Sequence, residues 1–125
     1  MPSFFVVWCI SFFIYFCKEN CTIMQRKNIV NEISSALKQL PYDIEVRLYG
    51  SEARGDARDD SDIDLLILVN RAEVTAEDEM EIFTPIYDIE LSSGVLINPI
   101  IMPKSEWGKM VTPFYENVMN ESYII

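Results

Sequence analysis

Two aspartates one residue apart, Asp62 and Asp64, stand at the head of the apolar run Leu65-Leu66-Ile67-Leu68-Val69. The run reads as a buried strand. Residues two apart on a strand share a face, so the two carboxylates lie side by side while Ile63 turns to the core. Like charges that close raise each other's pKa. A divalent cation removes the conflict, and hard oxygen donors of this kind suit Mg²⁺, which also takes water and phosphate oxygens. A bare Asp-x-Asp is equally what a solvated acidic turn before a strand looks like, so the triplet alone decides little.

Upstream, the pair Gly50-Ser51 follows a second apolar run. Glycine lets backbone approach a ligand closely, and a Gly-Ser turn at a helix start offers N–H groups and a hydroxyl to phosphate. Arg54 and Arg58 lie just beyond, available to an anion. Gly50-Ser51, ten residues, Asp62-x-Asp64 and then an apolar strand place a phosphate cradle and a metal pair on one unit. Metal-assisted phosphoryl or nucleotidyl transfer requires that combination.

Gly50-Ser51-x10-Asp62-x-Asp64, with Ala53-Arg54-Gly55-Asp56 inside it, resembles the signature of the minimal nucleotidyltransferases of the DNA polymerase beta-like superfamily. The resemblance covers roughly residues 24–125. It implies an α/β (α+β) domain with a small mixed sheet and flanking helices, and a Mg²⁺-dependent transfer of AMP from ATP. It implies that Asp62 and Asp64 are the catalytic metal ligands and that Gly50 and Ser51 hold the β- and γ-phosphates. Arg54 matches a nucleotide-binding position too, with a structural pair to Asp56 or Asp59 as the alternative, and Arg58 reads as surface. One feature departs from the pattern. The family carries a third carboxylate on the strand beside the Asp-x-Asp strand, yet residues 95–102 contain no acid. Asn98 stands at the expected place, and an amide does not accept a proton at neutral pH. Asp88 and Glu90 are the nearest acids before it, and either could substitute for the third carboxylate.

The acceptor follows less directly. At 125 residues one domain is the expectation, with none beside it to hold a substrate, and the resemblance implies that similar stand-alone domains often pair with small helical HEPN-type proteins in toxin–antitoxin systems. There the transferase adds AMP to a tyrosine of the toxin. Two alternatives stand beside this reading. One is a transferase acting on a small molecule such as an aminoglycoside, with an acidic acceptor pocket across a dimer. The other is a catalytically weak nucleotide-binding module that acts by contact, which the missing third carboxylate favours. Homo- or hetero-oligomers fit each of them.

Composition sets limits. The net charge is −10, so bulk nucleic acid is not an expected partner, since a phosphate backbone demands a basic surface. A nucleotide that arrives with Mg²⁺ remains compatible, because the metal supplies the positive charge. There are no histidines, which excludes Ser-His and Cys-His catalysis. The three cysteines, Cys9, Cys17 and Cys21, all lie in the first 21 residues. They form no Cys-x-x-Cys, and the rest of the chain gives no sign of a disulfide-stapled secreted domain. A cytoplasmic location is the expectation.

The elements that must position the site are legible as patterns. Ile29, Ile33, Ala36, Leu37 and Leu40 form one face of a helix over 25–40, stopped by Pro41. Residues 44–49 alternate as a strand with Ile44, Val46 and Leu48 on one face. A short helix from Ser51, a loop and a second strand over 63–69 follow. Thr75-Ala76-Glu77-Asp78 resembles a capped helix start, and Met80, Phe83, Tyr87 and Leu91 follow at helical spacing, with Pro85 predicting a kink or a new start. Ser92-Ser93-Gly94 ends that helix. A third strand spans 95–102, where Pro99 predicts an edge or a bulge. A short helix near 106–110 and a weaker helical turn over 113–120 complete the chain.

Residues 1–23 form an apolar N-terminal segment that includes the run Phe4–Cys17. The run is shorter than the roughly 20 residues a membrane span needs. Nothing basic precedes it, and Phe16-Cys17-Lys18 is a poor cleavage site for a secretory signal. A short membrane anchor and a buried extra helix remain open, but a native start at Met24, leaving a single transferase domain over 24–125, is the preferred reading. Intact-mass analysis of the native protein should then give a chain beginning at Met24. A mass that includes Phe4–Cys17, with the protein in the membrane fraction, would support the anchor instead.

Overall fold

The computed structural model describes residues 26–58 and 60–125. The apolar run 4–17, the three cysteines, the Met24 boundary and Asp59 lie outside the described residues. Helix α1 occupies residues 26–38. It is followed by β1 (Ile44–Tyr49), α2 (Gly50–Arg54), β2 (Ile63–Val69), α3 (Ala76–Ser93), β3 (Ile97–Pro103), α4 (Pro113–Glu121) and the two-residue β4 (Tyr123–Ile124). The four strands form one sheet in the order β3-β2-β1-β4. β1 runs antiparallel to β2 and to β4, and β2 runs parallel to β3. The expected mixed sheet with flanking helices is therefore present.

Alternation along the strands divides the apolar residues between two layers. On one face, Val46, Leu48, Ile63, Leu65, Ile67, Val69 and Ile97 meet Ile29, Ile33 and Leu37 of α1 and Ile82, Ile86 and Ile89 of α3. On the other face, Leu66 and Leu68 pack on Val118 of α4, with Tyr49, Ile100, Met102 and Trp107 around them. β2 lies inside the sheet and is covered on both sides, which is why residues 65–69 carry no polar side chain at all. Its bounds match the expected 63–69. β3 begins at Ile97 rather than Val95 and lies at the sheet edge, so the ladder N–H that Pro99 lacks is not missed. No bulge interrupts its register with β2.

Helix α3 corrects the sequence reading twice. First, it is one continuous helix. Pro85 cannot bond to the carbonyl one turn back, and Thr84 donates its hydroxyl to the Met80 carbonyl at 2.7 Å beside it. Second, the apolar spacing Met80, Phe83, Tyr87, Leu91 faces solvent. The buried positions are Ile82, Ile86 and Ile89. The helix is apolar on two opposite sides, and only packing on the sheet decides which side is core. Thr75 caps the start and Asp78 closes a capping box with it. Asp78 is itself nearly buried, accepting hydrogen bonds from Tyr42 at 3.0 Å and Arg71 at 3.1 Å. The helix expected near 106–110 is a run of turns, and residues 113–121 form a full helix rather than a single turn. β4, which alternation over two residues is too short to reveal, completes the sheet.

Truncation separates the two faces of α3. Ile82 is 0% exposed and Leu91 is 66% exposed. Ile82→Ala should lower unfolding stability by about 2–5 kcal/mol, whereas Leu91→Ala should change it by no more than about 0.5 kcal/mol. Urea denaturation of the two variants checks this, and equal losses would place the core face wrongly.

Candidate active site

The two halves of the motif meet where the C-terminal end of β1 runs beside the N-terminal ends of β2 and β3. The antiparallel register sets Tyr49 opposite Asp64, and the parallel register sets Asn98 opposite Asp64 on the other side. Tyr49, Asp64 and Asn98 therefore form one row across three strands. Ile63, between the two aspartates, is wholly buried. Asp62 and Asp64 are each half-buried, on the side of the sheet that α4 covers.

Gly50 follows Tyr49 directly and opens α2 with φ at +74°. Only glycine adopts that region without strain. A Cβ at this position would also collide with Asp64 Oδ2. Two independent requirements thus fall on one residue, and the approach they permit brings the start of α2 against the carboxylate. The first turn of α2 has no side-chain cap, so no side-chain acceptor at the N-cap satisfies its backbone donors. Ser51 is half-buried in that turn, and its carbonyl accepts the Asp56 N–H at 3.1 Å.

Asn98 Nδ2 donates to Asp62 Oδ2 at 2.9 Å and reaches Asp64 Oδ1 at 3.5 Å. No ion pair among the described residues involves either aspartate. Two adjacent carboxylates with a neutral amide beside them and no bonded cation form an oxygen donor set that fits a hard divalent ion. The described residues contain no group of three or more acidic or sulfur ligands. The expected absence of an acid on β3 holds: Glu90 accepts the Ile97 N–H at 3.0 Å and so braces the start of β3. Asp88 lines a shallow depression with Ala36, Gln39 and Pro85 at the α1–α3 side. Neither joins the pair in a group of three possible metal ligands among the described residues.

A family profile described as "Nucleotidyltransferase domain" matches residues 30–122. A Methanocaldococcus jannaschii protein named "Putative protein adenylyltransferase MJ0604" is 30% identical over 106 residues, spanning 82% of this chain and 99% of its own length. The chain belongs to the nucleotidyltransferase family. A second protein of the same organism, "Putative protein adenylyltransferase MJ0141", is 37% identical over 75 residues, or 60% of this chain and 71% of that one. Two solved structures are similar over 82% of the chain. One is titled a "putative nucleotidyltransferase" from Sulfolobus solfataricus, at 26% identity, TM-score 0.44 and 78% of its length. The other is titled a "putative minimal nucleotidyltransferase", at 24% identity, TM-score 0.46 and 90% of its length.

In this nucleotidyltransferase, Arg54 is engaged twice. It donates to Asp56 Oδ2 at 3.3 Å and to Glu121 Oε2 of α4 at 3.0 Å. The structural pair with Asp56 was one of the two expectations for it. The link to Glu121 was not legible, because the two residues lie 67 positions apart. Arg58 is exposed, as expected. Sequence reasoning also missed Arg26. It is buried, and it donates to Glu52 of α2 at 2.7 Å and to the Ser61 carbonyl at 2.8 Å. One side chain thus ties α1 to both ends of the motif loop. No spacing signal connects position 26 to position 52.

The charge state of the pair follows from its setting. Burial pushes the Asp64 carboxyl above its ordinary value of 3.8; the Asn98 hydrogen bond pulls it back, the Asp62 charge raises it and the Arg54 charge lowers it. Burial, with the Asp64 charge behind it, also raises the Tyr49 phenol. A raised folded-state pKa means that the folded chain binds the proton more tightly than the unfolded chain. The associated stability is complete below the ordinary value and is lost as pH rises through the raised one. At neutral pH the ionised Asp64 therefore works against folding. Asp64→Asn should melt at a higher temperature than wild type at neutral pH without metal. The difference should shrink as pH falls through the raised value and be gone below the ordinary 3.8. Thermal melts across that range check the sign, and a variant that melts lower at neutral pH would refute it.

Proposed function

We propose that this nucleotidyltransferase moves AMP from Mg²⁺-bound ATP to a hydroxyl of a partner protein. The cluster of Asp62, Asp64 and Asn98 against Gly50 carries the reading, because it joins two carboxylates that have no ion-pair partner among the described residues to the start of α2. In this reading Asp62 and Asp64 would hold Mg²⁺, which would supply charge neutralisation for the triphosphate and a lowered pKa for the attacking hydroxyl. The uncapped N–H groups at Gly50 and Ser51, with the Ser51 hydroxyl, bind the β- and γ-phosphates. Arg54, braced by Glu121 and Asp56, adds positive charge beside them. The acceptor oxygen bonds to the α-phosphorus, the bond to the bridging oxygen breaks, and pyrophosphate leaves with the electron pair. Asn98 takes no proton, so the acceptor's proton passes to solvent or to a group the acceptor brings.

A protein acceptor fits the shape of the site and the names of the relatives. A cleft of about 660 Å³ is lined by Arg26, Asn31, Lys38, Glu52, Gly55 and Tyr123. It does not include the carboxylates. Small ligands favour enclosed pockets, and this cleft is not built around the pair. A macromolecular acceptor supplies its own surface, and both M. jannaschii relatives bear the name of protein adenylyltransferases. The resemblance extends the proposal to a helical HEPN-type partner in a toxin–antitoxin pair, with a tyrosine as acceptor, and to a single domain over 24–125 acting in the cytoplasm. Consistent with a protein free of the bilayer, no helix of the described residues is long and apolar enough to cross a membrane. The amide at position 98 favours a second reading, a nucleotide-binding module that acts by contact without transfer.

Incubation with Mg²⁺ and α-labelled ATP, with and without host lysate, should place label on a protein. Asp62→Ala should reduce the labelling rate by about a hundredfold or more, given that such metal sites supply several kcal/mol to the transition state. ATP binding without label in any lysate would favour the contact module. Label on a small molecule would overturn the protein acceptor.

A further inference from the structure

The resting site holds an amide donor where a cation would bind. Asn98 is exposed, and its Nδ2 spans Asp62 Oδ2 at 2.9 Å and Asp64 Oδ1 at 3.5 Å. An amide nitrogen carries two hydrogens, so one group serves both carboxylates. This contact quiets the pair without any fixed positive charge. A cation that arrives alone must displace those N–H groups, and the amide must turn to present Oδ1. It gains two anionic ligands in return. Mg²⁺ gives up its water reluctantly and is ordinarily bound by one or two carboxylates together with substrate phosphates. A triphosphate brings the missing anionic oxygens and would drive the turn.

We propose that Asn98 is a positioning residue that couples cation binding at Asp62 and Asp64 to the nucleotide: the ion enters with the triphosphate and not before it. The inference rests on the reading of Asp62 and Asp64 as the metal pair and adds an order of binding to it. An aspartate at position 98 would add a third charge and remove the N–H donors, and would free the ion from that order. The exposed amide turns without disturbing the core, because the buried neighbour Ile97 points to the opposite face. A merely eroded site behaves differently, since it binds no ion with or without nucleotide.

The test uses the full chain, Mn²⁺ as the probe and an ATP analogue with a methylene group between the α- and β-phosphorus. Free Mn²⁺ is followed by electron paramagnetic resonance, with an Asp62→Asn/Asp64→Asn chain as the blank. Wild type should take up Mn²⁺ roughly ten to a hundred times more tightly with the analogue than without it. Asn98→Asp should bind Mn²⁺ alone more tightly than wild type by a similar factor. Equal affinity of wild type and Asn98→Asp for Mn²⁺ alone would overturn the order of binding and leave the metal pair standing. Failure of both folded proteins to take up Mn²⁺ even with the analogue would overturn the metal pair and this proposal with it. If Asn98→Asp does not fold, the Asn98 side-chain amide resonances of the wild type decide. They should stay in place with Mg²⁺ alone and shift with Mg²⁺ and the analogue together. A shift with Mg²⁺ alone, or none with both, would overturn the proposal.

Discussion

The Asp64 carboxylate lies where a Cβ on residue 50 would have to stand. That close approach fixes how the chain leaves β1. Tyr49 ends the strand opposite Asp64, and the next residue must take a positive φ to start α2 against the same carboxylate. A side chain at position 50 would strain the positive φ and force the Asp64 carboxylate out of its place. The remaining architecture can be understood as support for this contact. Buried Arg26 holds α2 through Glu52 and holds the loop end through Ser61. Arg54 ties the last turn of α2 to α4.

The sheet supplies the stiffness that the contact needs. β2 is covered on both faces and paired along its length on both edges. A strand so confined cannot slip by one residue without turning Leu65 and Ile67 away from the α1–α3 layer. Asp64 is the one polar residue within it, at the end where the covering layers stop. Its position is therefore set by a core with which it shares no chemistry. The cost is electrostatic, because a half-buried carboxylate beside a second one resists ionisation. Asn98 offsets part of that cost with a neutral donor. This is a different solution from a third acid, which would deepen the conflict until a cation arrived.

Family membership narrows the chemistry to nucleotidyl transfer, and the particular residues refine it. The surplus of negative charge over the whole chain argues against a nucleic-acid acceptor. The outer side of α3, with Met80, Phe83, Tyr87 and Leu91 exposed between acidic neighbours, gives the chain an apolar stripe far from the pair's chemistry. It belongs to no packing layer of the described residues.

Much of the site was legible before any fold was known. The ten-residue spacing between Gly50-Ser51 and Asp62 needs only a strand, a short helix and a strand. Binary patterning gave the bounds of β1 and β2 because both strands bury one or both faces completely. The capping box at Thr75 and the terminator at Gly94 are local chemistry, and local chemistry is written in neighbouring residues. What sequence alone left open shares one physical cause: it depends on partners distant along the chain. Periodicity shows that α3 has apolar stripes but not which of two opposite stripes meets the sheet. A two-residue β4 has no pattern until β1 lies beside it. Arg26 and Glu52, Arg54 and Glu121, and Asn98 bridging Asp62 and Asp64 are pairings of charge and amide that only topology brings within reach. The sequence by itself determined which residues are the candidates for the chemistry, while the tertiary structure decided what each of them touches.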